Sequence, residues 1–269
     1  MLRGGELRFR RSLALIVSAL APAAAFGGAW TYPEGTGQAI LTLDDGEGAV
    51  MYKHDGVTRA IAKETRAEAS LYLEYGLHEW LTAVLLGGLE DYSLSAPVGD
   101  AYHGTDYSGA GLRARLFSSE SFVWSAQATG LIPGAREPSR PAQAGNTGFD
   151  FDARMLGGYS VSIGAWPSFV DASLGYRTRG GGPPGEWHAD ITFGSHIRAD
   201  TMILAQLFNT ISQGSGAEEF PANRTHVAEA SLVYDLNAEW SVQVGIYATL
   251  KAVNSNRENG IIVAVWRRF

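Results

Sequence analysis

The sequence predicts an all-β fold: a 12-stranded antiparallel up-and-down transmembrane β-barrel. Three observations predict it. Period-2 alternation of apolar and polar residues recurs along most of the 269 residues, while helical periodicity is scarce. The connections between the alternating segments are short and long by turns. The chain ends in an aromatic residue, Phe269, directly after an apolar strand.

The first 25 residues stand apart from that pattern. Arg3, Arg8, Arg10 and Arg11 face a single Glu6, Leu13 to Phe26 carry no charge, and Ala23, Ala24 and Ala25 offer a small-residue cleavage site. A basic start, a short apolar core and an A-x-A end read as a secretory signal peptide. A membrane anchor would need about 20 apolar residues, more than this stretch supplies. The expected organisation is therefore a signal peptide at 1–25, a short periplasmic segment at 26–35 and the barrel at 36–269. Cleavage after Ala25 removes four arginines and one glutamate, leaving 17 basic and 27 acidic residues and a net charge of −10.

Strands are expected near 36–50, 61–75, 80–92, 107–117, 121–132, 149–161, 167–179, 186–197, 201–213, 225–235, 239–253 and 258–269. The segment from Trp240 shows why. Trp240, Val242, Val244, Ile246, Ala248 and Leu250 are apolar, and Ser241, Gln243, Gly245, Tyr247, Thr249 and Lys251 are polar, small or amphipathic. Successive strand residues face opposite sides, so one face is continuously greasy. The same alternation runs through Ala67–Tyr75, Phe151–Tyr159, Val170–Tyr176 and Trp187–Phe193. Segments 80–92 and 201–213 are apolar on both faces, which leaves their register open and a buried helix possible.

Short turns are expected at Gly76–Glu79, Ser118–Glu120, Ser162–Trp166, Arg198–Asp200 and Leu236–Ala238. Longer links are expected at Met51–Ala60, Ser93–Asp106, Pro133–Gly148, Gly180–Gly185, Gln213–Arg224 and Asn254–Arg257. Outer-membrane barrels have an even number of antiparallel strands, short periplasmic turns and longer external loops. A soluble sandwich or periplasmic barrel would bury the greasy faces as a core. The many charges on the polar faces and the terminal Phe269 weigh against that.

A C-terminal Phe on the last strand resembles the signal read by the outer-membrane barrel assembly machinery. Arg267 departs from the usual apolar pattern there and is expected to snorkel into the interface. The turn patterns YGLHEW at Tyr75–Trp80 and YDLNAEW at Tyr234–Trp240 place aromatics before and after a polar reversal. On these grounds the chain resembles bacterial outer-membrane barrel proteins of the uncharacterised transporter kind. The resemblance implies a Gram-negative outer-membrane location, with membrane lipid, lipopolysaccharide and the assembly machinery as partners. It assigns no substrate.

If the apolar faces meet lipid, their complements line the lumen. The expected lumen and solute-binding residues are Arg66, Glu68, Arg113, Arg115, Asp152, Arg154, Arg177, Arg179, His188, Asp190 and His196, joined by Glu64, Glu74, Asp171, Glu229 and Lys251. Barrels of about 8 strands fill their interior and those of 16–18 leave a water channel, so twelve falls between. One reading is a partly occluded conduit whose arginine and carboxylate ladders orient a small polar or anionic solute. The other is a salt-bridge network that plugs a structural or assembly barrel, since buried charges must be paired.

Other chemistry is less supported. The chain has no Cys, which excludes disulfides, thiolate zinc sites and a nucleophilic cysteine. An acidic chain lacks the basic face that nucleic acid requires. A lipid hydrolase or acyltransferase would need a Ser–His–acid set. His188, Asp190 and His196 share a face, while Ser195 points the other way and Ser173 is a cross-strand candidate. The spacing of His188, Asp190 and His196 matches no metal-ligand pattern, and no cofactor is expected. GGGPPG at Gly180–Gly185 precedes a strand rather than a helix, so it reads as an external loop. Asp44–Asp45–Gly46–Glu47 reads as a solvated strand end without calcium-loop spacing. Asn223–Thr225 reads as a chance match to a glycosylation acceptor.

Overall fold

The computed structural model describes residues 28–132, 134, 148–181, 183–214 and 221–269, which form extended strands and turns. The expected signal peptide at 1–25 lies outside the described residues. The strands are β1 (Gly37–Tyr52), β2 (Thr58–His78), β3 (Leu81–Leu94), β4 (Asp100–Thr105), β5 (Ser108–Ser118), β6 (Phe122–Ile132), β7 (Asp150–Ile163), β8 (Trp166–Thr178), β9 (Glu186–Arg198), β10 (Thr201–Ser212), β11 (Asn223–Asp235), β12 (Trp240–Val253) and β13 (Ser255–Arg268).

Neighbours in sequence pair antiparallel, and β1 pairs with β13 to close the sheet on itself. The segments β4 and β5 are one stave broken at Asp106–Tyr107. β4 pairs with Leu89–Leu94 of β3, and β5 pairs with Leu81–Leu86 of the same strand. Thirteen segments therefore make a twelve-stranded barrel closed through the β1–β13 and β2–β3 pairings, and the sandwich reading falls away. The segments apolar on both faces, 80–92 and 201–213, are strands β3 and β10 rather than helices.

The outer surface is apolar. Leu41, Leu43, Leu174, Ile191, Leu232, Val244, Ile246 and Ile261 are all exposed. Aromatics ring both borders of that band: Tyr75, Trp80, Trp124, Trp166 and Trp240 at the short-turn end, Phe151, Tyr176 and Trp187 at the long-loop end. Bands of this kind face lipid, with aromatic girdles at the two interfaces. Phe269 closes the seam, its carbonyl accepting the Gly37 N–H at 2.8 Å and its ring stacked on Tyr75 with centroids 6.4 Å apart. Arg267 lies over the Trp240 ring at 5.0 Å and pairs with Glu239, so it sits in the interface as a snorkelling cation.

Four expectations about the ends of strands change. The link expected at 93–106 contains strand β4. β1 and β2 also run past their expected ends, to Tyr52 and back from Thr58. These stretches project beyond the apolar band, so no greasy face marks them. The link expected at Asn254–Arg257 collapses to a reversal over Asn254 alone, in the left-handed region at φ 48°. Asn tolerates that region better than other side-chain-bearing residues. Finally, a bulge on β12 turns Lys251 to the outside. His226 pairs with Lys251 and Val227 with Thr249, so Leu250 is skipped. Lys251 was expected in the lumen; one extra residue reverses the parity of everything after it.

Candidate functional site

Inside the barrel the short-turn end is filled. Ile40, Phe169, Met202, Leu204, Val233, Ala264 and Trp266 face inward and form a hydrophobic cluster. Ile40 and Phe169 also line the lumen cavity, which fixes the side this cluster faces. Not every apolar residue therefore meets lipid.

The segment that precedes β1 completes the filling. The short segment expected at 26–35 is described from residue 28, and there it lies inside this mouth of the barrel. The Ala29 N–H donates to Asp171 at 2.6 Å, and the Ala29 carbonyl accepts the Ser125 hydroxyl. The Trp30 carbonyl accepts Arg113 Nη1 at 3.1 Å, and the Tyr32 N–H donates to Thr82 Oγ1 at 2.9 Å. The Trp30 ring meets Phe169 edge-on at 5.9 Å. Gly158 makes room for it, because a Cβ there would stand 2.5 Å from the indole. Burial holds the Tyr32 phenol well above its ordinary range, so it stays protonated.

Arg113 anchors this floor. It is fully buried and pairs with Glu74 at 2.5 Å, both side chains about 1% exposed. Its remaining donors reach Gln127 Oε1 at 2.8 and 3.0 Å and the Tyr72 hydroxyl at 3.0 Å. All five N–H groups of a guanidinium demand acceptors, and the site supplies them.

Beyond the floor is a cavity of about 860 Å³, with Gly28, Leu156, Phe169 and Ile40 among its lower lining. Two ion networks flank it. On β7–β9, Asp152 accepts Arg154 Nε at 2.6 Å and Arg177 Nε at 3.3 Å, and Arg154 reaches Asp190 at 2.9 Å. Glu186 takes Arg179 at 3.4 Å, Arg177 at 3.7 Å and His188 at 3.1 Å. On β1, β2 and β13, Arg66 pairs with Glu68 at 2.9 Å, Glu258 at 3.2 Å and Asp44 at 3.3 Å. The Asp44 side chain faces the lumen and is no solvated strand end; Asp45 faces outward.

Three further carboxylates line the cavity and, among the described residues, accept from neutral donors only. Glu64 accepts the Tyr92 hydroxyl at 2.7 Å and Asn256 Nδ2 at 2.6 Å. Glu229 accepts Gln243 Nε2 at 3.3 Å and Ser231 Oγ at 3.4 Å. Asp171 accepts the Ala29 N–H. Seven carboxylates line the cavity against three guanidinium groups, those of Arg66, Arg154 and Arg177. The space between the networks is therefore acidic and partly lined by Tyr72, Tyr92, Tyr247, Phe169 and Phe208.

The sequence-predicted residues divide by place. Arg66 and Glu68 belong to one network; Asp152, Arg154, Arg177, Arg179, His188 and Asp190 to the other. Arg113 sits in the floor. Arg115, opposite Ser125, and His196, opposite Met202, lie at the filled end. Neither makes an ion pair among the described residues. Asp44 and Glu258 were missed, although strict alternation through β1 and β13 places both inward. Among the described residues no group of three or more His, Asp or Glu side chains has metal-holding geometry.

No family model matches the chain, and no curated protein is significantly similar to it. Solved structures are. The COG4313 outer membrane channel from Pseudomonas putida F1 superposes with a TM-score of 0.74, covering 91% of this chain and 100% of that one at 15% identity. The fold is an outer-membrane β-barrel. The β domain of the Bordetella autotransporter BrkA matches the barrel with a TM-score of 0.53 at 12% identity, over 88% of this chain and 100% of that one. The NanC porin matches it with a TM-score of 0.52 at 9% identity, over 85% and 100%. At these identities the likeness speaks for the architecture of the barrel and not for its cargo.

Proposed function

We propose that the chain is an outer-membrane channel, exported through its N-terminal signal, that binds and passes a small polar solute through a partly occluded, charged lumen. The observation that carries this is the 860 Å³ cavity enclosed between two ion networks and floored by the segment 28–36. The channel character of two similar solved barrels, the COG4313 channel and the NanC porin, agrees with it. The solute favoured is neutral or cationic. Apart from Arg115 at the filled end, the arginines expected to orient an anion already hold carboxylates, while Glu64, Glu229 and Asp171 face the cavity with no ion pair among the described residues.

Planar-bilayer recording of the refolded protein tests the reading. Small, cation-preferring openings are expected, and Glu64→Gln together with Glu229→Gln should weaken the cation preference. The second reading is a structural or assembly barrel with a plugged interior, favoured by the number of bonds that fix the segment 28–36. Silence from both the wild type and a variant whose floor has been loosened would decide for it. A lipid-modifying enzyme is disfavoured by side-chain placement. Ser173 Oγ contacts Asp190 at 3.4 Å and His188 is taken by Glu186, and among the described residues no serine hydroxyl bonds a histidine ring.

A further inference from the structure

The β12 bulge that expels Lys251 from the lumen builds something on the outside. Directly opposite Lys251, His226 faces out, with Nδ1 held by Asn209 Oδ1 at 2.7 Å. Arg224 lies two residues away on the same face of β11. On β13, Arg257 faces out because its neighbour Glu258 faces the lumen. Arg224, Lys251 and Arg257 are exposed, and among the described residues none pairs with a carboxylate. Lys63 on β2 differs: it also faces out, but Glu47 neutralises it at 2.5 Å.

Height along the barrel gives the cluster its meaning. Lys251 stands eleven residues from Trp240, at the short-turn end of its strand. At about 3.3 Å per residue and a tilt of about 40°, that is about 25–28 Å along the axis, the height of a lipid-facing apolar band. Arg224 and Arg257 lie equally far from Asp235 and Arg268, the same ends of β11 and β13. Below them the outer face presents Leu232, Ile246, Ile261 and Val263. Greasy wall beneath and unpaired cations at the rim match a lipid whose acyl chains lie under a phosphorylated head group. Guanidinium and ammonium groups bind phosphate through charge-assisted hydrogen bonds, and clustered basic residues at a membrane border bind anionic lipid.

We propose that Arg224, His226, Lys251 and Arg257 form a binding site for the phosphates of lipid A, the anchor of lipopolysaccharide, on the outer-leaflet rim of the barrel. The bulge is the device that makes it: without the skipped residue, Lys251 would point into the lumen and the cluster would lose its centre. This rests on the outer-membrane placement of the fold and is independent of what passes through the lumen.

The test is lipid A retained by the full-length protein extracted from outer membranes in mild detergent, counted by mass spectrometry. Wild type and Lys63→Gln should retain it through detergent exchange. The combined Arg224→Gln, Lys251→Gln and Arg257→Gln variant should lose it by roughly tenfold or more, as removal of several charge-assisted contacts predicts. Lipid A stripped of its phosphates should bind wild type no better than the triple variant. If the triple variant misfolds, judged by heat-modifiable migration, Lys251→Gln alone with Lys251→Arg as rescue carries the comparison. Equal retention by the triple variant and Lys63→Gln overturns the proposal, and so does equal displacement by phosphatidylglycerol. Failure of wild type to insert into any bilayer would sink the membrane placement itself, a distinct outcome.

Discussion

Arg113 has exchanged water for Glu74, Gln127, Tyr72 and the Trp30 carbonyl, and at about 1% exposure it has no route back. Removing one member of such a pair strands the other. Arg113→Gln should therefore cost about 3–5 kcal/mol, read from denaturant titrations of heat-modifiable migration. Arg177 is a different case. Its carboxylate partners Asp152 and Glu186 keep Arg154 and Arg179, and the side chain borders the lumen cavity. Arg177→Gln should cost clearly less than Arg113→Gln and should leave anion passage unchanged. A clear loss of anion passage in that variant would show that Arg177 is not neutralised and would revive the anionic-solute reading. At the outer turn 53–57, the Val57 N–H donates to Asp55 at 2.9 Å and holds its carboxyl below the ordinary value. A depressed acid stabilises above its unfolded pKa and loses that contribution as pH falls through the folded one. Exchange of the Val57 amide should accordingly accelerate selectively in acid, and a pH-independent protection would contradict the contact.

Among the elements, the stretch 28–36 decides whether the lumen is open. Its backbone is held by side chains of β3, β5, β6 and β8, and its Trp30 ring fits only because residue 158 is Gly. Trp30→Ala removes the wedge, and Gly158→Ala drives the ring out by a Cβ clash. Both variants should raise single-channel conductance while the barrel still migrates as a folded species. An unchanged current in both would mean that the floor is not the constriction. The strands make a complementary prediction about their faces. Leu174 and Val244 are exposed on the lipid side, whereas Ser173 and Thr249 line the cavity. Arginine at either of the first two should cost about 2–4 kcal/mol near the bilayer midplane and impair assembly. Arginine at Ser173 or Thr249 should be tolerated, and equal damage at both sets would mean the faces are inverted.

At the scale of the whole molecule, closure through β1 and β13 removes the seam from which the lipid-facing part of the sheet would start to unfold. The mature protein should fractionate with the outer membrane and migrate faster unheated than boiled; recovery as a soluble periplasmic monomer would falsify the membrane placement. Much of this architecture was legible because lipid imposes a simple rule on sequence. Every second residue within the band must be apolar, so the strands around Trp240, Val170 and Phe151 announced themselves, and with them the inward carboxylates and arginines. Where the rule lapses, so did the reading. Asp100–Thr105 lies past the lipid, pairs as a strand without a greasy face, and looked like loop. The candidate site was legible as a set of charges but not as pairs, because partners such as Arg154 with Asp190 or Arg66 with Glu258 meet only through cross-strand register.

The sequence alone settled the fold class, the number of staves, most strand positions and which side of β7, β8 and β9 carries charge, because alternation is a local property that lipid and water enforce residue by residue. Tertiary structure alone decided the rest. It set Trp30 against Phe169 and Gly158, residues more than a hundred positions away, through packing that no period encodes. It neutralised the arginines of one wall and left Glu64, Glu229 and Asp171 without an ion pair among the described residues. It also inserted a bulge at Leu250 that sent Lys251 outward beside His226. A bulge adds one residue to one strand, and only the partner strand reveals that the count has slipped.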